Sequence, residues 1–417
     1  MRREIYCEKS KKTVLDMVNN RITSVKKVDV VKTGLRLYKN GCIGVAGAIG
    51  AYNENSLTDR AKQMLNFRIP YDCEPTGEIK RSVDLADNSL LTNDTFIHTS
   101  EELLTMLSRQ YPQFAFNNKI YHEEYETQLK NDCGAELFWR DKQVMVGLLI
   151  KHKQSLNMMD AYGVTLSREY DLQSVFEAVS KICACYDEKI APPAEKMPVV
   201  FLSHEDILGK FSTDLNAHML GAGGSLFSDK IGQKLFADAF SLAVERNPLE
   251  RYNERVHCFF DAEGTVLPDD RFVLIENGVL RAPFTAKKVA KQYGYALTGS
   301  AAGEYDSVPD ASSAGIAVGS SGKTMKELLG GRKAIYVVLS MGGDFTPQGE
   351  YAAPVQSAFL FDGDQLCGRL PQIAIRSNIF DMFGKDFIGL ATDGNMPNSP
   401  LKYLAMDMHV DTIGDWV

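Results

Sequence analysis

No stretch of the 417-residue chain approaches the roughly 18 consecutive apolar residues that a membrane-spanning helix requires, so no such helix is expected. The first residues, Met1-Arg-Arg-Glu-Ile-Tyr-Cys, include basic side chains with no apolar run behind them. No secretory leader is expected, and the simplest reading is a cytoplasmic protein; the alternative is an exported precursor already trimmed. Basic residues are outnumbered: 46 Lys and Arg against 54 Asp and Glu give a net charge of −8 and a pI near 5.5. Such a surface repels phosphate, which argues against a nucleic-acid partner unless basic residues cluster locally. The eight cysteines are scattered and none forms a Cys-x-x-Cys pair, so reduced thiols are expected in place of a disulfide framework.

What is present is ordinary globular composition, 44% hydrophobic and 24% charged, in a chain long enough for two domains. Asn40-Gly41 between two apolar runs predicts a tight hairpin, because both positions tolerate φ > 0. Leu57, Ala61, Met64 and Leu65 share a helical face, with Ser56 and Asp59 as a capping box. Thr99 and Glu102 are expected to cap a helix bearing Leu103, Leu104 and Leu107. A second hairpin is expected to turn at Asp141-Lys142. The clearest helix spans about 171–186, with Cys183 on its apolar face and Cys185 off it. Prolines at 192, 193 and 198 break the pattern and predict a boundary near 187–198. Beyond it a strand at 199–202 leads to a helix from about Ser203. From Val256 onward short apolar runs alternate with turns at Asn277-Gly278, Met341-Gly-Gly343 and Asp362-Gly363. The expected fold class is α+β, with an N-terminal α/β domain at 1–190 and a mainly antiparallel, β-rich domain at 191–417.

Three motifs invite chemistry and fall short of it. Ala317-Val-Gly-Ser-Ser-Gly322-Lys323-Thr324 resembles a phosphate loop, but Ala317 stands where the first glycine should be. A short helix over Thr324 to Leu329, entered through Ser320 or Ser321, is the better expectation. His122-Glu123 and His204-Glu205 lack the second histidine, four residues on, that a zinc site on a helix needs; surface or helix-start positions are expected for both. Ser225 lies outside a nucleophile elbow.

Several segments in order resemble the TldD/PmbA family: Leu226-Phe-Ser-Asp-Lys-Ile-Gly-Gln-Lys-Leu-Phe236, Phe260-Asp-Ala-Glu-Gly264, Leu274-Ile-Glu-Asn-Gly-Val-Leu280, Ala286 to Gly299, and Gly343 to Tyr351. Gly34-Leu-Arg-Leu-Tyr and Gly44 to Gly50 resemble that family's N-terminal hairpin. The likeness implies a metallopeptidase-related protein, a family also labelled modulator of DNA gyrase. Its catalytic, TldD-like branch carries His-Glu-x-x-x-His on a helix and a later cysteine, three zinc ligands with a glutamate to activate water. Against that pattern the equivalent helix is Thr213-Asp214-Leu-Asn-Ala-His218, with Thr213 for the first histidine, Asp214 for the glutamate and His218 for the second histidine. Asp393 stands where the cysteine would be. His218 and Asp393 remain as candidate metal ligands, and Thr213 is a poor one. This pattern resembles the PmbA branch, also called TldE. It implies a non-zinc-binding subunit that pairs with a TldD-like chain or with itself and handles peptide or unfolded-protein substrates, with zinc expected only if the site is active. The alternatives are an independent metallopeptidase with an altered site, and a nucleotide-binding protein using Gly322-Lys323-Thr324. Membrane and nucleic-acid partners are not expected.

Overall fold

The computed structural model describes residues 1–86, 92–192, 194–202, 204–250, 258–313, 315–340 and 342–416. Expectations resting on Pro193, Ser203, Val256 and Met341 lie outside these residues.

The first half is one eight-stranded sheet with three helices: β1 (Arg2–Val18), β2 (Arg21–Lys39), β3 (Cys42–Ile49), α1 (Glu54–Met64), β4 (Ile69–Pro70), β5 (Ile79–Asp84), α2 (Asn93–Gln110), β6 (Phe114–Asn131), β7 (Ala135–His152), β8 (Ala161–Ser167) and α3 (Leu172–Ala184). The strand order is β4-β3-β2-β1-β6-β7-β5, with β8 also on β7; every pairing is antiparallel except β5 with β7. Asn40 and Gly41 turn the β2–β3 hairpin at φ 51° and 71°, as their chemistry predicts. The Asp141-Lys142 turn does not form. Both residues sit inside β7, buried, because Arg168 grips Asp141 with two hydrogen bonds of 2.8 and 2.9 Å and Glu169 pairs with Lys142 at 2.9 Å. A polar dipeptide that reads as a turn is carried through the sheet by charges supplied 27 residues later.

The helix entries also move. Asn53, not Ser56, caps α1, accepting from the Ser56 N–H, and Thr92, not Thr99, caps α2. Asp171 caps α3, whose Val175, Val179, Ile182 and Cys183 are buried. Cys185, expected off the apolar face, is buried as well: it is the C-cap, no longer in helical geometry, and it packs into the same apolar cluster as Cys183.

The second half comprises β9 (Lys196–Phe201), α4 (Glu205–Asp214), α5 (Ala217–Gly221), β10 (Leu242–Glu245), β11 (Arg271–Glu276), β12 (Val279–Leu280), α6 (Lys287–Tyr293), β13 (Ala301–Ala302), β14 (Asp310–Ala311), β15 (Ile316–Val318), α7 (Met325–Leu329), β16 (Ala334–Ser340), β17 (Asp344–Phe345), β18 (Glu350–Phe361), β19 (Leu366–Arg369), β20 (Ile373–Asn378), α8 (Ile379–Met382), β21 (Phe387–Leu390) and β22 (Leu404–Thr412). Strands β16-β9-β22-β20-β18 run side by side, and a further β16–β18 pairing closes them into a ring. Side chains alternate with the two-residue period of a strand. Met197, Val199 and Phe201 enter one core with Leu404 and Met406, while Val200 and Ala405 join Leu166 of β8 on the other face. A smaller antiparallel sheet, β12-β11-β10-β15, stands beside the ring. The fold is therefore α+β with mostly antiparallel sheets, as expected. Named strands pair only within 1–190 or within 191–417, yet apolar cores span both parts: Tyr6, Leu129 and Trp139 pack with Phe259 and Phe260.

Candidate functional site

The segment expected to be one helix from Thr213 to His218 is two. Helix α4 ends at Asp214, Leu215 leaves helical geometry, and the Asn216 side chain caps α5 by accepting from the His218 N–H at 2.9 Å. The i, i+5 spacing of the family motif therefore does not put Thr213 and His218 on one continuous helix. Leu215 is buried, and the break lets its side chain join the phenylalanine-rich core around Phe211.

Each candidate side chain has its own partner. The Thr213 hydroxyl donates back to the Gly209 carbonyl at 3.3 Å. The Asp214 carboxylate is buried; it accepts from the Leu226 N–H and pairs with Lys210 at 2.9 Å. His218 Nε2 lies 2.8 Å from Asp310, a residue of β14 that the sequence had not singled out. Asp393 accepts from the Met325 N–H at 2.8 Å, at the start of α7. A structural zinc ion needs four donors and a catalytic one at least three, converging from the protein. Among the described residues no group of three or more His, Cys, Asp and Glu side chains is arranged to hold a metal. Thr213, Asp214, His218 and Asp393, as placed, do not make that donor set.

The two rejected His-Glu pairs resolve differently. His122 is half-buried on β6, its ring 6.1 Å from that of Phe96, and among the described residues it belongs to no metal-holding group. His204 is at the start of α4, as expected, but buried. The phosphate-like loop closes on itself. The Ser320 hydroxyl accepts from the Gly322 N–H and the Ser321 hydroxyl from the Lys323 N–H, so two amides that would face a phosphate are already used. Helix α7 is entered through a capping box of Thr324 and Glu327, not directly through Ser320 or Ser321.

Two features escaped the sequence. The first is a polar pin between the halves. Glu263, in the Phe260 to Gly264 motif, accepts from the Tyr71 hydroxyl and from the Lys287 N–H, while Arg36, fully buried on β2, donates to Glu4 and to the Ala262 carbonyl. Burial, and then the nearby Asp261 carboxylate, push the Glu263 pKa up to about 7. The second is a cleft of about 970 Å³, walled by Ser167 to Glu169 on one side and by Val318 to Ser320, Leu390 to Thr392 and Lys402 on the other. It lies next to Asp393, whose neighbour Thr392 lines it.

Eight-stranded and ring-closed sheets joined through shared cores in this order define an architecture known from solved structures. TldE from Thermococcus kodakarensis superposes with a TM-score of 0.81 at 15% identity, covering 99% of this chain and 97% of that one. A proposed modulator of DNA gyrase from Thermotoga maritima matches with a TM-score of 0.78 at 13% identity, covering 98% and 96%. Another from Bacteroides thetaiotaomicron matches with 0.75 at 16%, covering 99% and 95%. At these identities the likeness is one of fold. Family-level similarity comes from the sequence itself: residues 194–404 match the PmbA/TldA metallopeptidase C-terminal domain and residues 4–65 match PmbA/TldA metallopeptidase domain 1. The chain belongs to the PmbA/TldD metallopeptidase family. No protein of curated function matches it.

Proposed function

We propose that this chain is a PmbA-like, non-zinc-binding subunit that serves the proteolysis or maturation of small peptides beside a TldD-like chain carrying the metal. The observation behind this reading is the break at Leu215-Asn216, together with the separate hydrogen-bonding of Thr213, Asp214, His218 and Asp393. A lone imidazole with carboxylates competes poorly for zinc. The part left for the subunit is to complete a chamber and to bind peptide, a task suited to a β-rich protein because main-chain hydrogen bonds read no side chains. The eight free thiols suit the reducing, cytoplasmic setting this reading implies.

The test is metal content and partnership measured together. The full-length chain, incubated with zinc and desalted, should retain far less than one equivalent by elemental analysis. Co-expressed with a chain bearing His-Glu-x-x-x-His, it should co-purify and raise that chain's peptidase rate. Stoichiometric zinc that disappears in His218→Ala would overturn the proposal and favour an independent metallopeptidase. A chain that forms only homo-oligomers and leaves its partner's rate unchanged would also overturn it.

A further inference from the structure

The cleft contains two polar groups that make no hydrogen bond or ion pair among the described residues. The first is on β15. Gly319 N–H donates to the Ser241 carbonyl and Glu245 N–H to the Gly315 carbonyl, so Gly315, Ala317 and Gly319 turn their backbone groups toward β10. Val318, between them, turns its N–H and C=O the other way. Its residue is only 4% exposed, it lines the cleft, and among the described residues no hydrogen bond reaches those groups. Buried backbone groups are rarely left unpaired, so this edge is set up for a ligand or for water.

The second group is the Lys402 ammonium. The cleft has three basic residues on its walls. Arg168 is bonded to Asp141 and to the Pro248 carbonyl, and Arg271 sits 3.8 Å from Glu245. Lys402 is half-buried, and among the described residues its ammonium makes no hydrogen bond or ion pair. Burial lowers its pKa, while the attraction of Asp393 raises it; that carboxylate is itself already bonded to the Met325 N–H. The backbone beneath Lys402 is held firmly, since His204 Nε2 contacts its carbonyl and Tyr403 N–H donates to the Asp393 carbonyl.

We infer that the cleft takes the end of an extended peptide, its main chain pairing with Val318 and its C-terminal carboxylate resting on Lys402. One unpaired cation suits one negative charge. The cleft also presents Asp171 and Glu250, which disfavour a more highly charged anion such as a nucleotide, and the closed Gly319 to Lys323 loop offers no cradle for phosphate. Apolar Leu390, Ala391 and Met396 line the space between, and the volume is that of a small-ligand pocket. This inference rests on the peptide-handling role proposed above and adds the end of the peptide that is read.

The experiment is isothermal titration of the full-length chain with an N-acetylated hexapeptide of alternating alanine and threonine. It is prepared as the free acid, as the C-terminal amide, as an amide ending in glutamate, and as an acid with alternate amides N-methylated. The free acid should bind about tenfold or more tightly than the amide, as expected for a charge-assisted hydrogen bond. Lys402→Met should erase that difference and Lys402→Arg should keep it. The N-methylated acid should lose affinity, because it cannot pair with a strand edge. Equal binding of wild type to acid and amide would overturn the role of Lys402 while leaving peptide binding intact. Full recovery by the glutamate amide would assign a side chain in place of the terminus and also overturn it. Binding by none of the four would remove the peptide-handling reading itself.

Discussion

His204 Nε2 lies 2.7 Å from the carbonyl oxygen of Lys402, so the residue that opens helix α4 is fastened to the segment that walls the cleft, 198 positions later in the chain. The imidazole is wholly buried. Desolvation pushes its pKa down to about 4, against the carbonyl contact, which favours the charged ring.

That depression has a defined sign. The folded chain holds His204 neutral, whereas the unfolded chain protonates it near pH 6.5. The stability gained is therefore present above pH 6.5 and is lost as pH falls toward 4. The full effect is on the order of 3 kcal/mol at about 1.4 kcal/mol per pKa unit. Denaturant midpoints of wild type and His204→Gln, followed from pH 7.5 to 4.5, should converge as the pH drops. Parallel curves would contradict the assignment.

Glu263 acts in the opposite direction. Its folded pKa is raised, to about 7, so the fold favours the protonated carboxyl. The stability it contributes is complete below its unfolded pKa, near 4.5, and is lost as pH rises through about 7. Wild type should therefore lose stability relative to Glu263→Gln between pH 5 and 8. The measurement is the difference between the two unfolding free energies at each pH; a difference that stays constant across that range would show that Glu263 does not titrate there.

The Asp141–Arg168 pair tests why β7 does not turn. Asp141 has no exposed side-chain surface, and Arg168 retains 25%. Arg168→Met should cost about 3–5 kcal/mol, because it strands a buried carboxylate. Asp141→Leu with Arg168→Met should be less harmful than the single arginine change, since no unpaired charge remains. Chemical denaturation of the four members of the cycle gives the coupling; additive effects would mean the pair does not act as a unit.

Thr324→Ala removes one half of the capping box on α7 and should lower stability by about 1 kcal/mol, whereas Thr324→Ser should be close to neutral. A loss for alanine no greater than that for serine, read from thermal unfolding, would show that the cap contributes nothing.

Much of the fold was legible locally. Asn40-Gly41 forms its turn because two positive φ values are intrinsic to those residues, and the α3 periodicity buries Val175, Val179 and Cys183 as its spacing requires. The ordered family segments were legible too, and they lie within the matched stretches 4–65 and 194–404. Helix entries were displaced because caps compete: Asn53, Asn55 and Ser56 are all capable, and packing of Leu57 and Ala61 selects the first. The candidate site was the least legible. Thr213 to His218 has helical spacing on paper, but Asn216 starts a new helix and Leu215 is drawn into the Phe211 core.

The turns, the amphipathic helix, the β-rich second half and the family can be read from the chain alone, because these depend on φ preferences, two- and 3.6-residue periods and the order of short motifs. Which charges meet depends on the packed fold. Asp141 is a strand residue because Arg168 reaches it, His218 is bonded to Asp310 across 92 positions, and the segment leading into β22 places Lys402 on the cleft wall, where its ammonium makes no hydrogen bond or ion pair among the described residues. Hydrogen bonds and ion pairs act over about 3–4 Å whatever the separation along the chain, so no spacing rule could have read them.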